Sequence, residues 1–278
     1  MSGDQQPCTQ GYRIAALWSE PLEHQRRTCR LRVLASEAIV TARKEPDTDV
    51  QSPNDRPPSA ATSDSVSEYH LAELRIAQDP AAAGHILPPI PADANAVLDI
   101  GCGAGQSLIA CKLRDDVLAC GVDPELAALA LGKRLNGHIQ FAAARGERLP
   151  FADETFDFVL SRVAMPYMHV PAAAREIARV LKPHGGVWLT LHPVSGAFKS
   201  LWHGLTSVDL RRARFALYVL ANTMLLHVFG RQIAHAGDRY ESAQTSGGIK
   251  RALRAAGLVD VAVSRGRFYV VTARKPGG

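Results

Sequence analysis

The chain has 278 residues, of which 46% are apolar, and a formal net charge of +5 at pH 7 with a sequence pI of about 9.1. This is enough apolar sequence for the core of one large or two small domains. The positive excess is small for this length and the arginines are scattered, which argues against nucleic acid as the main partner.

The cysteine pattern bears on the cellular compartment. Five cysteines are present, an odd number, and no two are spaced as C-x-x-C. This pattern predicts neither a disulfide framework nor a metal site, and it fits a reducing cytoplasm. The N-terminus shows no basic-then-apolar leader. The longest apolar stretch, Phe215–Phe229, is shorter than the roughly 20 residues that span a bilayer. We therefore expect a cytoplasmic protein.

Residues 1–66 are predicted to be an N-terminal extension that is partly disordered. Tyr12–Lys44 could form a basic helix, whereas Glu45–Ser67 is rich in Pro, Ser, Asp and Thr, a composition typical of a disordered linker. The pattern then predicts a helix over Ser67–Ile76 and a short helix near Ala81–Leu87 that ends at a Pro-Pro pair.

The most informative stretch is Val97–Gly105. An apolar run, Ala96–Ile100, predicts a parallel strand buried on both faces. Three glycines follow at alternate positions, and Gln106–Leu113 is predicted to be the next helix. Such a turn lets a ligand approach the backbone closely and directs free N–H groups at it. The dinucleotide fingerprint G-x-G-x-x-G needs a glycine where this chain has Gln106, which disfavours a nicotinamide oxidoreductase.

A second apolar run, Val117–Val122, ends in Asp123-Pro124. A carboxylate at this strand tip, about 20 residues beyond the glycine turn, has the position that suits hydrogen bonds from two ribose hydroxyls. Pro124 suits the first turn of the following helix, predicted over Glu125–Arg134. The alternative is that Asp123 is an ordinary helix N-cap.

The rest of the chain continues the alternation of strands and helices. The predicted elements are a strand at His138–Ala143, a strand at Phe156–Ser161, a helix at Ala172–Leu181, a strand at Val187–Leu191, a helical stretch at 193–245, a helix at Gly247–Ala256, and strands at Leu258–Ser264 and Arg267–Ala273. Strands alternating with helices favour an α/β fold with a mostly parallel sheet.

Three segments together resemble class I S-adenosylmethionine (SAM)-dependent methyltransferases, and in particular the type 11 domain of the ubiquinone-biosynthesis methyltransferases. They are D-I-G-C-G-A-G at 99–105, R-G-E-R-L-P-F at 145–151 with F-D-F-V-L-S at 156–161, and R-E-I-A-R-V-L-K-P-H-G-G at 175–186. The resemblance implies a Rossmann-like sheet of seven strands, mostly parallel, with an antiparallel C-terminal hairpin and helices on both faces. It also implies a helical insertion that acts as a lid.

The resemblance implies SAM as the cofactor and a set of residues that would bind it. In the family the acidic residue before the glycines orders the turn and the amino-acid end of the ligand. The implied cofactor-binding residues are Asp99, Gly101, Cys102, Gly103, Gly105, Asp123, Pro124, Arg145, Gly146, Glu147 and Ser161.

Arg145 departs from the family pattern, which has an aspartate there that accepts a hydrogen bond from the adenine amino group. A guanidinium has donors only and cannot take that role. It could instead lie flat on the adenine ring. We therefore expect SAM to bind, but weakly.

Candidate acceptor-binding residues come from three places, and for each of them plain packing is the alternative. Helices before the first strand often close over the cofactor in this family, the tip of the fourth strand reaches the pocket, and the insertion covers it. The candidates are Tyr69, His70, Tyr167, His169, Trp202 and Tyr218. His192, at the tip of the fifth strand, is one candidate general base, because a neutral imidazole can accept a proton near pH 7.

The predicted organisation is therefore an extension at 1–66 and a methyltransferase domain at 67–278. The domain divides into a SAM-binding core at 96–192, a helical lid at 193–245, and a final helix and hairpin at 246–278. The predicted function is methyl transfer from SAM to a small molecule. The basic residues 211–214 beside the apolar stretch 215–229 suggest a lipophilic acceptor and peripheral membrane contact. The alternatives are an RNA methyltransferase and a non-catalytic methyltransferase-fold protein with weakened SAM binding.

Overall fold

The computed structural model describes residues 63–235 and 239–278. The basic helix predicted at 12–44 and most of the linker predicted at 45–67 lie outside the described residues. The described part of the chain forms one mixed sheet with helices packed on both of its faces.

The strands are β1 (Ala96–Ile100), β2 (Leu118–Asp123), β3 (Gln140–Ala143), β4 (Phe156–Arg162), β5 (Leu181–Leu191), β6 (Val259–Arg265) and β7 (Tyr269–Arg274). The helices are α1 (Ser63–Gln78), α2 (Gln106–Cys111), α3 (Leu126–Leu135), α4 (Val170–Val180), α5 (Ser195–Thr206), α6 (Leu210–Phe229) and α7 (Ser246–Ala255).

The seven strands lie in the order β3-β2-β1-β4-β5-β7-β6. Strands β1 to β5 pair in parallel, and β7 is antiparallel to both of its neighbours. The predicted sheet, with an antiparallel hairpin at its C-terminal end, is confirmed. Strand order reverses direction between β1 and β4, and in open α/β sheets ligands bind in the crevice at such a switch point.

Strand β1 is buried on both faces, as its unbroken apolar run predicts. Alternate side chains point to opposite faces of the sheet. Leu98 and Ile100 join the larger core layer with Ile177 of α4 and Leu253 of α7. Val97 joins the other layer, which contains Leu108 of α2 and Leu160 of β4. Each large side chain buried in this way stabilises the fold by about 1.5–3 kcal/mol.

The turn after β1 is shaped by close packing against neighbouring side chains. Gly101, Gly103 and Gly105 have φ values of 73°, 55° and 79°, in the left-handed region that favours glycine. A Cβ on Gly101 would lie 2.2 Å from the Cβ of Ala164, and one on Gly105 would lie 2.9 Å from Cζ of Phe141. The first and third glycines are therefore required by contacts within the fold, whether or not a ligand binds.

Several predicted elements differ from the structure. Helix α1 begins at Ser63, inside the predicted extension, and extends to Gln78. Residues 81–84 form turns and residues 85–87 have no regular structure, so the helix predicted near 81–87 is absent. Seven residues bracketed by prolines are too few to offset the cost of helix nucleation. Strand β5 begins at Leu181, because Leu181 pairs with Phe156 across a bulge that takes in the predicted loop at 182–186.

Candidate functional site

The candidate site lies at the C-terminal edge of the parallel strands, where the turn after β1 meets the tips of β2 and β4. Gly101 and Cys102 donate their backbone N–H groups to the carbonyl of Val122 at 2.8 and 3.0 Å. These bonds hold the glycine turn against the end of β2. The two acidic residues singled out in the sequence, Asp99 and Asp123, belong to this edge.

Asp99 is a buried carboxylate without a partner. It is the fourth residue of β1, its exposed fraction is 1%, and neither carboxylate oxygen has a hydrogen-bond partner among the described residues. Burial raises the pKa of its carboxyl to about 7, and the Arg162 guanidinium opposes that rise. Buried polar groups are nearly always paired in native proteins. An orphaned carboxylate therefore indicates a site for a ligand that carries a hydrogen-bond donor or a positive charge.

Asp123 fixes the glycine turn from the neighbouring strand. Its Oδ2 accepts the backbone N–H of Gly103 at 2.9 Å, and its Oδ1 accepts that of Glu125 at 2.8 Å. Glu125 is the N-cap residue of α3, and no side chain caps that helix. The interpretation of Asp123 as a helix N-cap is therefore wrong. Burial raises the pKa of the Asp123 carboxyl, although both backbone hydrogen bonds oppose the rise.

Gly103 differs from the other two glycines in what its missing Cβ would meet. That atom would lie 2.7 Å from Cε1 of His70 and 3.0 Å from Oε1 of Gln106. His70 reaches the turn from α1, and its Nδ1 lies 2.7 Å from Nε2 of Gln106. His70 therefore brings α1 next to the glycine turn, and its contact with an acceptor stays a prediction. Desolvation lowers the pKa of its imidazole, which favours the neutral ring.

An ion pair that the sequence reasoning missed holds α1 at the same edge. Arg162, the last residue of β4, donates from Nη2 to Oε2 of Glu73 at 2.7 Å, and both side chains are largely buried. Glu73 lies three residues after His70, so both project from one side of α1. Two side-chain contacts, one to the glycine turn and one to β4, thus bring α1 over the candidate site. A charged residue directly after the apolar run of β4 was the one signal available in the sequence.

The segment 145–147 contacts the same edge from the β3 side. Nη2 of Arg145 lies 3.4 Å from Oε1 of Glu147, and that oxygen also accepts the backbone N–H of His169 at 2.8 Å. A Cβ on Gly146 would lie 2.5 Å from Sδ of Met168 and 3.0 Å from Cγ2 of Ile100. Gly146 is therefore needed for close packing against β1, and Arg145 is the exposed member of the three.

Two predicted cofactor residues direct their side chains into the fold. Cys102 is buried, and its Sγ lies 2.7 Å from where a Cβ on Gly121 would be. Burial raises the pKa of its thiol well above the usual value, which disfavours the reactive thiolate. Ser161 is buried and donates from Oγ to the carbonyl of Ile100 at 2.7 Å, which joins β4 to β1.

The remaining predicted residues are mostly exposed. Tyr69 is exposed in the middle of α1, and its ring lies edge-on to that of His70 with the centroids 5.1 Å apart. Pro124 is exposed directly after β2, Tyr167 between β4 and α4, and His192 directly after β5. His169 is the N-cap of α4, where its Nδ1 accepts the N–H of Ala172 at 3.3 Å.

The two predicted residues of the insertion have different surroundings. Tyr218 donates to the carbonyl of Ile233 at 3.0 Å and stacks near His235. Trp202 is 72% exposed, so it lies on the surface in this structure and not in a pocket.

Two surface grooves lie away from this edge. Their volumes are about 270 and 320 Å³, and both are lined by Leu87 and Lys112 near the end of α2. Lys112 follows the C-terminal end of α2, whereas the glycine turn precedes its N-terminal end. The grooves are therefore separate from the candidate site.

This sheet order, with a glycine turn after β1 and carboxylates at the tips of β1 and β2, defines the class I methyltransferase fold. Residues 98–189 match the family model described as a methyltransferase domain. A structure of human N-acetylserotonin methyltransferase in complex with SAM aligns with a TM-score of 0.50 and 15% identity, covering 77% of this chain and 57% of that one. Residues 98–189 are thus a methyltransferase domain by sequence, and the fold around them is that of the class I methyltransferases.

Curated relatives match about a third of the chain. An uncharacterised methyltransferase of Bacillus subtilis, YcgJ, is 37% identical over 103 residues, which are 34% of this chain and 40% of that protein. The demethylmenaquinone methyltransferase of Renibacterium salmoninarum is 34% identical over 110 residues, 38% of this chain and 46% of that protein. The chain thus spans less than half of the length of these relatives.

Proposed function

We propose that the protein transfers a methyl group from SAM to a small lipophilic acceptor. The observation that carries the proposal is the orphaned carboxylate of Asp99, buried beneath a glycine turn in a methyltransferase fold. A hydride-transferring enzyme is disfavoured because Gln106, and not a glycine, begins α2.

The residues present fit SAM. Its amino group offers Asp99 the positive charge that this carboxylate lacks, and its ribose hydroxyls offer donors to the oxygens of Asp123. Each Asp123 oxygen accepts one backbone hydrogen bond, which leaves acceptor capacity. The backbone of Gly103 is covered by side chains only, the His70 ring and the amide of Gln106, and a ligand could reach it if these side chains moved. When bound, SAM supplies a sulfonium methyl group that is already a strong electrophile.

The task of the chain is then to orient two reactants and exclude water. The contacts of His70 with Gln106 and of Glu73 with Arg162 hold α1 over the turn and shield it. We also propose that residues 193–245 act as the lid over the acceptor. His192, whose pKa is lowered by partial desolvation, is the candidate base if the acceptor must lose a proton.

Calorimetry with SAM and with NAD on the same sample tests the cofactor assignment. We expect binding of SAM, no binding of NAD, and SAM binding that is roughly 10- to 100-fold weaker in Asp99→Asn. Transfer of a labelled methyl group from SAM to a cell extract separated into lipid, water-soluble and RNA fractions then tests the acceptor. Label in the lipid fraction supports the proposal. Label in RNA alone, or binding of NAD in place of SAM, contradicts it.

One observation favours a second candidate, a methyltransferase-fold protein that has lost activity. Arg145 stands where the family has a carboxylate for adenine, and it pairs with Glu147 instead. If SAM binding were absent at millimolar concentration, while the folded state is intact by circular dichroism, this candidate would replace the first. The cytoplasmic location stays a prediction.

A further inference from the structure

The α5–α6 hairpin carries most of the large exposed apolar side chains described in the structure. Helix α5 buries only one of its residues, Gly204. A Cβ on Gly204 would lie 2.8 Å from the backbone nitrogen of Ala213, so the two helices approach closely there. Further along α6, Thr223 accepts the backbone N–H of Ala243 at 3.0 Å, which joins the hairpin to the rest of the domain. The hairpin is thus packed on its inner side and bare on its outer side.

The outer side of α5 forms an apolar stripe. Phe198, Trp202 and Leu205 are spaced i, i+4 and i+7, so they lie on one face of the helix. Their exposed fractions are 59%, 72% and 58%. Two more exposed apolar side chains follow, Val208 in the connecting turn and Leu210 at the start of α6, which are 78% and 69% exposed. Contiguous exposed apolar side chains of this size mark interaction surfaces in soluble proteins.

The same segment, residues 198–214, which we call the hairpin tip, is strongly basic. It contains four Lys or Arg residues and one Asp, a formal charge of +3 in a chain whose net charge is +5. Lys199, Arg211 and Arg214 are exposed. The one acidic side chain, Asp209, is used as the N-cap of α6, where its Oδ1 accepts the N–H of Arg212 at 3.0 Å.

We propose that the hairpin tip docks this protein on an anionic lipid surface, with the Phe198–Trp202–Leu205 stripe in the interface and the flanking basic residues on lipid phosphates. Tryptophan and leucine beside lysine and arginine are the composition of helices that lie in the headgroup region. Anionic lipids attract such basic clusters electrostatically. Among the described residues no helix is long and apolar enough to cross a membrane, so the hairpin would lie on the surface.

Charge selects this occupant over the other candidates. A second copy of the chain would bring the same +3 charge to the contact, and like charges oppose pairing. A nucleic acid would neutralise the basic residues but leave the apolar stripe in water. An anionic lipid surface would both neutralise the basic residues and remove the apolar side chains from water.

The position of the hairpin bears on the proposed reaction. Helix α5 begins four residues after β5 ends, at the same edge of the sheet as Asp99 and Asp123. Docking would therefore hold the mouth of the candidate site near the bilayer, where a lipophilic acceptor dissolves. The docking itself does not depend on SAM binding, so it can fail or succeed independently of the proposed function.

The experiment is co-sedimentation of the full chain with vesicles of 70% phosphatidylcholine and 30% phosphatidylserine, compared with pure phosphatidylcholine. We expect binding to the anionic vesicles that weakens at high salt. The Arg211→Glu/Arg214→Glu variant should bind at least about tenfold more weakly, since each basic residue near an anionic surface contributes about 1 kcal/mol. The Trp202→Ser/Leu205→Ser variant should bind the anionic vesicles more weakly by a similar factor, and by the same factor at all salt concentrations.

Matched controls are Arg254→Glu and Val259→Ser, because both residues are exposed and lie outside the hairpin. Both controls should bind as the unaltered chain does. Three results would overturn the proposal. The first is that the folded chain does not bind anionic vesicles, and the second is that the controls lose as much vesicle binding as the hairpin variants. The third is a dimer in sedimentation equilibrium that the Trp202→Ser/Leu205→Ser variant abolishes.

Discussion

The glycine turn after β1 and the α5–α6 hairpin both follow a strand at the same edge of the sheet, yet packing fixes them very differently. The turn is held by close contacts within the fold, with Gly101 against the Cβ of Ala164 and the N–H of Gly103 on the Asp123 carboxylate. The hairpin presents exposed apolar side chains such as Trp202 and Val208 to its surroundings. Where close contacts define the geometry, a local sequence motif specifies the structure. Where side chains face outward, the sequence shows which residue types are present but not what they bind.

Glycine substitutions in the turn should give the largest effect. Gly101→Val places a Cβ 2.2 Å from the Cβ of Ala164 at a φ of 73°. The clash and the left-handed conformation should together lower the free energy of unfolding by about 3–5 kcal/mol. Urea denaturation measures this loss.

Gly103→Ala provides the contrast within the same turn. Its Cβ would meet the His70 ring, a side chain that can move, so we expect a loss of about 1–2 kcal/mol in stability and a much larger loss in SAM binding. Gly137→Ala, where a Cβ would meet nothing within 4 Å, is the control. Equal destabilisation by Gly101→Val and Gly103→Ala would remove the distinction between packing and ligand-facing glycines.

Substitution of Asp99 tests whether the edge of the sheet at the glycine turn binds SAM. Asp99→Asn should weaken SAM binding by roughly 10- to 100-fold, the cost of removing a buried charge-assisted hydrogen bond. Because the pKa of this carboxyl is raised to about 7, affinity in the unaltered protein should fall as pH decreases from 7 to 5.5 and the carboxyl takes up a proton. Calorimetry across this range should show a slope that Asp99→Asn removes.

The same carboxyl affects stability without ligand. The folded state retains the Asp99 proton up to about pH 7, whereas the unfolded chain releases it near pH 4. The folded state is therefore favoured at low pH, and this contribution is lost as pH rises from about 4 to 7. Asp99→Asn should flatten that part of the stability profile, and Asp260→Asn, at an exposed position, should not. An unchanged profile in Asp99→Asn would contradict the buried, unpaired state of this group.

The sequence predicted the sheet and the position of the turn because strand runs and glycine spacing are local signals. It could not predict contacts between distant residues. Arg162 and Glu73 are 89 positions apart, and His70 and Gln106 are 36 apart. Nor could it predict that Ser161 would join β4 to β1, because a small polar residue at a strand tip suits either a ligand or a neighbouring carbonyl. The exposure of Trp202 could not be predicted either, since helical periodicity does not show which face of a helix packs against the rest of the protein.

The Arg162–Glu73 pair allows one of these unpredicted contacts to be measured. Both side chains are largely buried, so a double-mutant cycle with Arg162→Met and Glu73→Gln should give a coupling of about 1–2 kcal/mol, above the usual value for exposed pairs. Arg162→Met should also raise the pKa of Asp99 above about 7, because it removes the charge that opposes the rise. SAM affinity at pH 7 should then fall in Arg162→Met more than in Glu73→Gln. Equal SAM affinities in the two variants would mean that Arg162 affects SAM binding only by holding α1 in place.

Among these variants, Arg145→Asp should have the smallest effect on SAM affinity, and it is the only one that should increase it. A carboxylate at this position could accept a hydrogen bond from the adenine amino group, which the guanidinium cannot do. One such bond contributes about 1 kcal/mol, so SAM affinity should improve about fivefold. The new carboxylate would lie beside Glu147, which loses its ion-pair partner, and this repulsion limits the gain. Arg145→Ala separates the two effects, because it removes the ion pair without adding an acceptor. If Arg145→Ala binds SAM as tightly as Arg145→Asp, or if neither improves on the unaltered chain, residue 145 does not contact adenine and the weak-binding hypothesis loses its basis.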